Sequence, residues 1–153
     1  MEAKVSWRLL CMSFVRFLTN NALDFVVNDS REQHGQFAEL RQEHPEVQLF
    51  TGKWHADVIR SADLLLVSPG VDITQSDIAD NIRSDAEVWG DIELYARIKS
   101  TPTIAITGSN GKSTVVSMLQ HVAQSLGINS QLGGNVGVPV LDTLCADAEL
   151  LIL

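Results

Sequence analysis

The sequence predicts the α/β class, a parallel sheet covered by helices. Short apolar runs recur along the 153 residues, and each leads through a turn signal into a stretch with apolar residues three and four positions apart. The runs are apolar on both faces, as strands buried between two helical layers must be. One of them, at 103–107, passes through a glycine-rich loop into a long amphipathic stretch at 113–126.

In chain order, residues 9–18 are mainly apolar but interrupted by Arg16, too short to cross a bilayer, and not followed by a small-residue cleavage site. They read as helix rather than signal, with helical spacing over 14–20. Strands follow at 23–27 (LDFVV), 47–50 (VQLF) and 62–67 (ADLLLV), separated by a helix at 36–43. Helical spacing returns at 74–82 and 92–99. Strand 103–107 (TIAIT) precedes helix 113–126, which Gly127 caps. A short strand at 129–132, a helix opened by Pro139 at its first position and a final strand at 150–153 (LLIL) complete the reading.

Residues 100–102 (Ser-Thr-Pro) divide the chain into domains 1–100 and 101–153. Pro102 opens a new strand there, and the charge pattern changes. Beyond Ser100 the sole Lys or Arg is Lys112, against the acids Asp142, Asp147 and Glu149.

Eleven Lys+Arg against nineteen Asp+Glu leave a formal charge of −8. Such a surface repels nucleic-acid backbones and anionic membranes, so neither is expected as a partner, and any phosphate must be held locally. Cys11 and Cys145 are far apart and have no metal-type spacing, which fits a reducing cytosol. His34, His44, His55 and His121 show no ligand spacing and are assigned no role, while Trp7, Trp54 and Trp89 read as packing residues.

The richest segment is residues 103–127: a strand, the loop Gly108, Ser109, Asn110, Gly111, Lys112, Ser113, Thr114, and an amphipathic helix. This is the order of a P-loop. The two glycines let successive amide N–H groups turn inward at a helix N-terminus, where phosphate oxygens bind. Lys112 would meet the β- and γ-phosphates of ATP, Ser113 would offer a hydroxyl to Mg2+, and Thr114 would support the first helical turn. The pattern G-x-x-x-x-G-K-[ST] demands a glycine where Ile106 stands, so the loop is a variant.

The loop GSNGKST after TIAIT, followed by GGNVG at 133–137, resembles the Mur ligases of peptidoglycan synthesis, whose shorter loop G-[ST]-x-G-K-[ST]-[ST] needs no glycine at 106. Three further stretches resemble the D-glutamate-adding branch of that family: VVNDSRE at 26–32, VSPGV at 67–71 and GDIEL at 90–94. The resemblance implies a Rossmann-like UDP-sugar domain joined to the start of a P-loop ATPase domain. It also implies ATP and Mg2+ as cofactors, and UDP-N-acetylmuramoyl-L-alanine and D-glutamate as substrates, in a cytoplasmic, monomeric enzyme. The alanyl carboxylate would be activated as an acyl phosphate and attacked by the amine of D-glutamate.

Residue by residue, the resemblance places Asp29, Ser30 and Arg31 at the uracil end of the nucleotide sugar. Ser68, Pro69 and Gly70 would line its cleft, and Gly134 and Asn135 would contact the muramoyl part. Lys112 is the catalytic candidate. Taken alone, Asp29-Ser30 reads rather as a helix cap in a solvated turn, and Ser-Pro-Gly as only a turn signal. The related ligases open with a strand and a turn of the G-x-G-x-[ST]-G kind, whereas here no glycine precedes Gly35. MEAKVSWRLLCMS reads as too short and glycine-poor for both a central strand and a diphosphate-cradling loop, and the resemblance resumes at SFVRFL. A truncated or altered first βα unit is therefore expected.

In the family, the strand matching 150–153 runs into an acidic residue that helps hold Mg2+. A modified lysine and a C-terminal domain for adenine and D-glutamate follow. The chain by itself is accordingly expected to be inactive, and its final strand to present a hydrophobic sheet edge. The competing readings are another Mur ligase, a folylpolyglutamate synthase relative, and an inactive nucleotide-binding fragment.

Overall fold

The computed structural model describes residues 5–8, 12–145 and 147–153, and the chain divides into two compact units, Met1–Glu93 and Leu94–Leu153. The division falls inside helix α5 (Asp91–Ile98), a few residues before the Ser-Thr-Pro segment.

In the first unit, strands β1 (Val5–Arg8), β2 (Val26–Asn28), β3 (Gln48–Phe50), β4 (Leu64–Val67) and β5 (Glu87–Trp89) alternate with helices α1 (Met12–Asn20), α2 (Gly35–Glu43), α3 (Ala56–Ser61) and α4 (Ser76–Ala79). Parallel ladders join β1 to β4, β4 to β5, and β2 to β3. Because β2 runs beside β1, the strands follow one another as β3-β2-β1-β4-β5. This is the order of doubly wound sheets, in which the direction of winding reverses between β1 and β4.

The central place of β1 corrects one expectation. A strand does form within MEAKVSWRLLCMS, paired from Val5↔Leu64 to Arg8↔Val67. Its four residues have no apolar run of their own, and the ladder offered by the apolar LLLV strand supplies what local pattern lacks. The expected fault in the turn after β1 concerns residues 9–11, which lie outside the described residues, as do residues 1–4 before β1. The β5 strand and the short α3 helix were likewise not read from the sequence.

Other elements moved for identifiable reasons. The strand expected at 23–27 lies at Val26–Asn28, because the turn that closes α1 takes in Leu23, whose N–H donates to the carbonyl of Leu18 at 3.0 Å. The helix expected at 74–82 is a single turn. Before it, the Asp72 carboxylate accepts from the Thr74 N–H at 2.9 Å and its hydroxyl at 2.6 Å, offering the backbone an alternative to helix. After it, the Asn81 side-chain amide donates to the Asp77 carbonyl at 2.9 Å.

Among the described residues, the core of this unit includes two groups. Met12, Phe14, Val15 and Leu18 form the buried stripe of α1, at the three- and four-residue spacing that marks an amphipathic helix. Ile59, Ala62, Leu65 and Ile78 cluster together with Trp54, Val67, Val71, Ile82, Ala86 and Val88 packed around them.

The second unit contains β6 (Thr103–Ile104), α6 (Lys112–Ser125), β7 (Ser130–Leu132), a 3-10 helix (Val140–Cys145) and β8 (Leu150–Ile152). The strands are parallel in the order β6-β8-β7. The expected buried strand at 103–107 proves to be an exposed outer strand: β6 pairs with β8 alone, and Thr103 and Ile104 are both exposed. Its backbone nevertheless follows β8 further, since the Ile106 N–H donates to the Leu153 carbonyl at 2.9 Å.

The expectation of an uncovered edge at 150–153 is overturned as well. β8 is the middle strand, paired on both sides, with Leu151 and Ile152 buried. Exposed apolar surface lies instead on α6, at Val115, Met118, Val122 and Leu126. The end of α6 follows the sequence reading. Gly127 takes a φ of +75°, its N–H donates to Gln124 and that of Ile128 to Ala123, so the last carbonyls are satisfied by a left-handed glycine turn. Pro139 directly precedes a 3-10 helix rather than an α-helix. Among the described residues, no helix is long and apolar enough to cross a membrane.

Candidate functional site

In open α/β sheets, ligands bind beyond the carboxyl ends of the strands, near the place where the winding reverses. The first unit puts candidate residues at such ends. Ser68-Pro69-Gly70 leaves β4, one of the two strands flanking the reversal, and Asp29-Ser30-Arg31 leaves β2 on the other side of β1. Ser68 is buried, and its carbonyl accepts from the Val71 N–H at 3.3 Å. Gly70, at φ +88°, makes the turn a glycine position.

Asp29 is neither solvated nor a helix cap. Its side chain is 1% exposed, and α2 is capped instead by His34, whose Nδ1 accepts from the Gln36 N–H at 3.4 Å. The Asp29 carboxylate accepts from Arg31 three times: the backbone N–H at 2.9 Å and Nε at 2.9 Å, both on Oδ1, and Nη2 at 2.5 Å on Oδ2. The Arg31 guanidinium is consequently held protonated above its ordinary range, foremost by this hydrogen bonding.

Sequence reasoning overlooked Asn28. This buried side chain donates to the Lys53 carbonyl at 3.0 Å and to the Phe50 carbonyl at 3.4 Å, and accepts from the His55 N–H at 2.9 Å. It ties the end of β2 to the turn after β3, to which the Gly52 N–H adds a bond to the Arg31 carbonyl at 3.0 Å. The cue was a polar residue ending an apolar strand, where burial obliges it to find partners. Asn28→Ala is expected to cost about 1–3 kcal/mol by orphaning these backbone groups, read as a lower urea midpoint at unchanged slope.

In the second unit, all three strands are parallel, so the loops after β6 and β7 emerge at the same carboxyl edge with β8 between them. The first loop carries Gly108 through Thr114, all exposed. Gly108 (φ +154°) and Gly111 (φ +77°) take conformations that suit glycine. Gly111 is the N-cap of α6 and has no side chain to bond the first-turn amides. With Val115 N–H donating to the Gly111 carbonyl at 3.1 Å, the amides of Lys112, Ser113 and Thr114 are the helix-start donors available to an anion. The Lys112 ammonium folds back over the loop and donates to the Gly108 carbonyl.

The second loop, 133–137, is shaped largely by its own neighbours. A Cβ on Gly133 would meet Leu151, Leu153 and Thr143 side chains at 3.2 to 3.4 Å. One on Gly137 (φ +93°) would lie 2.7 Å from the Leu132 carbonyl oxygen. These two glycines let the loop pack closely on its neighbours, and the surface they support presents Gly134, at φ +86°, and the exposed Asn135. Gly137→Ala should therefore cost about 2–3 kcal/mol, combining backbone strain with a clash, whereas Gly70→Ala, with open space around it, should cost about 1 kcal/mol. Thermal melts of the two variants check the contrast.

The residues present suit a triphosphate: amide donors at a helix start, one lysine and no acidic side chain within 108–114. Were Mg2+ to bind there, held mainly by phosphate oxygens and water, the exposed Ser113 hydroxyl would be the protein group to meet it. Among the described residues, no group of three His, Cys, Asp or Glu side chains is placed so that it could hold a metal ion.

Known proteins are similar to this chain in sequence and in fold. A family model described as Mur ligase MurD-like, N-terminal domain, matches residues 10–90. The UDP-N-acetylmuramoylalanine--D-glutamate ligase of Pseudomonas syringae pv. tomato is 42% identical over 142 residues, 93% of this chain and 32% of that protein. The chain thus spans about a third of the length of the curated relatives it matches. In fold, it is similar to a pseudomurein peptide ligase type C from Methanothermus fervidus, with TM-score 0.54 and 19% identity over 99% of this chain and 32% of that one. It is also similar to the UDP-N-acetylmuramate-alanine ligase MurC from Thermotoga maritima, with TM-score 0.51 and 18% identity over 83% of this chain and 30% of that one. With the family model spanning more than half of its residues, the chain belongs to the Mur ligases, with an N-terminal domain of the MurD-like kind.

Proposed function

We propose that the chain carries the nucleotide-sugar domain and the phosphate loop of a cytoplasmic, ATP-dependent ligase that adds D-glutamate to UDP-N-acetylmuramoyl-L-alanine. On this reading, residues 1–100 are a Rossmann-like UDP-sugar domain, and residues 101–153 begin a P-loop ATPase domain. The observation that carries the reading is the conjunction in one chain of a MurD-like N-terminal domain and the loop Gly108–Thr114 opening α6.

Asp29, Ser30, Arg31 and the Ser68–Gly70 turn hold the uridine part of the substrate, while Gly134 and Asn135 meet its muramoyl part. The amides of the 108–114 loop and Lys112 bind the β- and γ-phosphates, and the Ser113 hydroxyl takes a place beside Mg2+. ATP supplies the activation that an ionised carboxylate lacks, converting it to an acyl donor with a good leaving group. The part of Lys112 is electrostatic: its ammonium offsets charge that builds on the transferred phosphoryl oxygens.

Calorimetric titration of the 153-residue protein with UDP-N-acetylmuramoyl-L-alanine and, separately, with ATP and Mg2+ tests both halves. The expected result is one site for each, with UDP displacing the first ligand and not the second. A protein that is folded by circular dichroism and binds neither ligand would falsify the reading.

A further inference from the structure

We propose that the outer edge of β6 and an exposed apolar stripe on α6 form one docking surface for a second polypeptide, which adds a parallel strand to β6 and packs that strand's helix against α6. The partner is the stretch of chain that completes the ATPase domain in the longer ligases, supplied in trans. The inference rests on the reading of residues 101–153 as the start of such a domain, and adds to it the surface that receives the remainder.

At β6, pattern and exposure disagree. TIAIT has the apolar character of a strand covered on both faces, yet Thr103, Ile104 and Ala105 are all exposed. The hydrogen bonds identify the open edge. The Pro102 and Ile104 carbonyls accept from the N–H groups of Leu151 and Leu153, and the Ile106 N–H donates to the Leu153 carbonyl, each at 2.9 Å and toward β8. The N–H and C=O of one trans peptide point in opposite directions. The N–H groups of Thr103 and Ala105 and the Ala105 carbonyl therefore point away from β8, to a side where no strand pairs among the described residues. β7, the other outer strand, is half-buried along its length, so the unmet demand lies at β6.

α6 shows the same mismatch. Val116 and Ala123 form its buried side, while Val115, Met118, Val122 and Leu126 make a second apolar stripe, between 45% and 71% exposed. At about 3.6 residues per turn the two stripes lie roughly a quarter-turn apart, so the exposed one occupies a flank, where a neighbouring helix on the same sheet face packs. α6 leads from β6 to β7 across β8 and packs on β7 and β8. Crossovers of this kind are right-handed, which turns the flank stripe toward the β6 side of the sheet. From Ser100 to Leu141 there is no Asp or Glu, and Lys112 is the sole Lys or Arg, so burying the stripe desolvates no charge within a chain of net −8.

Length and strand direction select the occupant. The chain covers 32% of the Pseudomonas syringae pv. tomato ligase and includes the MurD-like N-terminal domain, so most of such a ligase follows the matched part. Every pairing in this sheet is parallel, and a further parallel strand comes with a crossover helix. One such unit meets both demands: its strand satisfies the open backbone groups of β6, and its helix covers the flank of α6.

The test co-expresses the tagged 153-residue chain with the segment of the Pseudomonas syringae ligase that follows the matched part, and measures co-purification and stoichiometry by sedimentation. A 1:1 complex is expected. Ala105→Pro removes an outward N–H and no bond to β8, and Met118→Lys puts an ammonium into the stripe; each should lower the co-purified segment at least about tenfold. Gln124→Lys, exposed on the opposite side of α6, should leave it unchanged, and circular dichroism of each variant alone checks the fold. If Ala105→Pro fails to fold, Met118→Lys against Gln124→Lys decides, because both positions are exposed.

No complex with the wild-type chain, or equal complex with Met118→Lys and Gln124→Lys, overturns the proposal. So does a dimer of the chain alone that Ala105→Pro abolishes and the segment does not displace, since a second copy then occupies the surface. ATP titration of the same proteins separates the two readings. ATP binding without a complex sinks this inference and leaves the phosphate loop standing, whereas a complex that binds no ATP sinks the phosphate-loop reading and supports the docking surface.

Discussion

Replacing Lys112 by alanine is expected to weaken ATP binding about 10- to 100-fold while leaving UDP-sugar binding and the melting temperature unchanged. The magnitude follows from the loss of charge-assisted hydrogen bonds to phosphate, each worth about 1.5–3 kcal/mol, at 1.4 kcal/mol per factor of ten. Selectivity for ATP follows from placement. Lys112 is the sole Lys or Arg beyond Ser100, so no neighbouring cation in that segment can substitute for it. Stability should not respond, because Lys112 is exposed and its bond to the Gly108 carbonyl is a surface contact within the loop. Isothermal titration of both proteins with ATP and Mg2+ is the check, and equal affinities would sink the phosphate-loop assignment. Rising ionic strength should weaken wild-type binding more than that of Lys112→Ala, since a screened ammonium contributes less.

The largest effect on stability is expected from Phe14→Ala, which should remove about 3–5 kcal/mol. Phe14 is fully buried on α1, so truncation forfeits its transfer from water and leaves a cavity that the close-packed surroundings fill incompletely. Domains of this kind have about 5–15 kcal/mol of total stability, so the loss reaches a large share of it. Phe17→Ala supplies the internal control. It sits on the same helix and makes the same change in intrinsic helix propensity, but Phe17 is half-buried, so its loss should be clearly smaller. Urea unfolding followed by circular dichroism measures both, and similar midpoints for the two variants would contradict the assigned burial of α1.

The sites were legible to different depths. The loop at 108–114 could be read as a loop because its information is local: two glycines, a lysine and two hydroxyl residues between an apolar run and an amphipathic stretch. The Gly127 cap is local in the same sense, since a positive φ just past the last helical residue singles out glycine. The role of Asp29 was not legible. An Asp-Ser pair is consistent with a solvated cap, and what excludes that reading is burial, a property of the folded environment, together with an arginine two residues on. Asn28 escaped notice for a related reason, because its partners at Phe50, Lys53 and His55 come from another strand and its turn.

By itself, the sequence determined the α/β class, the helical face of α1, the glycine loop that opens α6 and the glycine that caps its end, and the resemblance to Mur ligases, because each rests on residues close together in the chain. Tertiary structure alone decided that Val5–Arg8 is a central strand, that β8 is flanked on both sides, and that Asp29 is a buried carboxylate clasped by Arg31. Strand order and burial are set by partners dozens of residues away. A four-residue segment with no apolar run becomes a strand when a neighbouring strand satisfies its backbone, and a carboxylate stays ionised away from water when a guanidinium is packed over it.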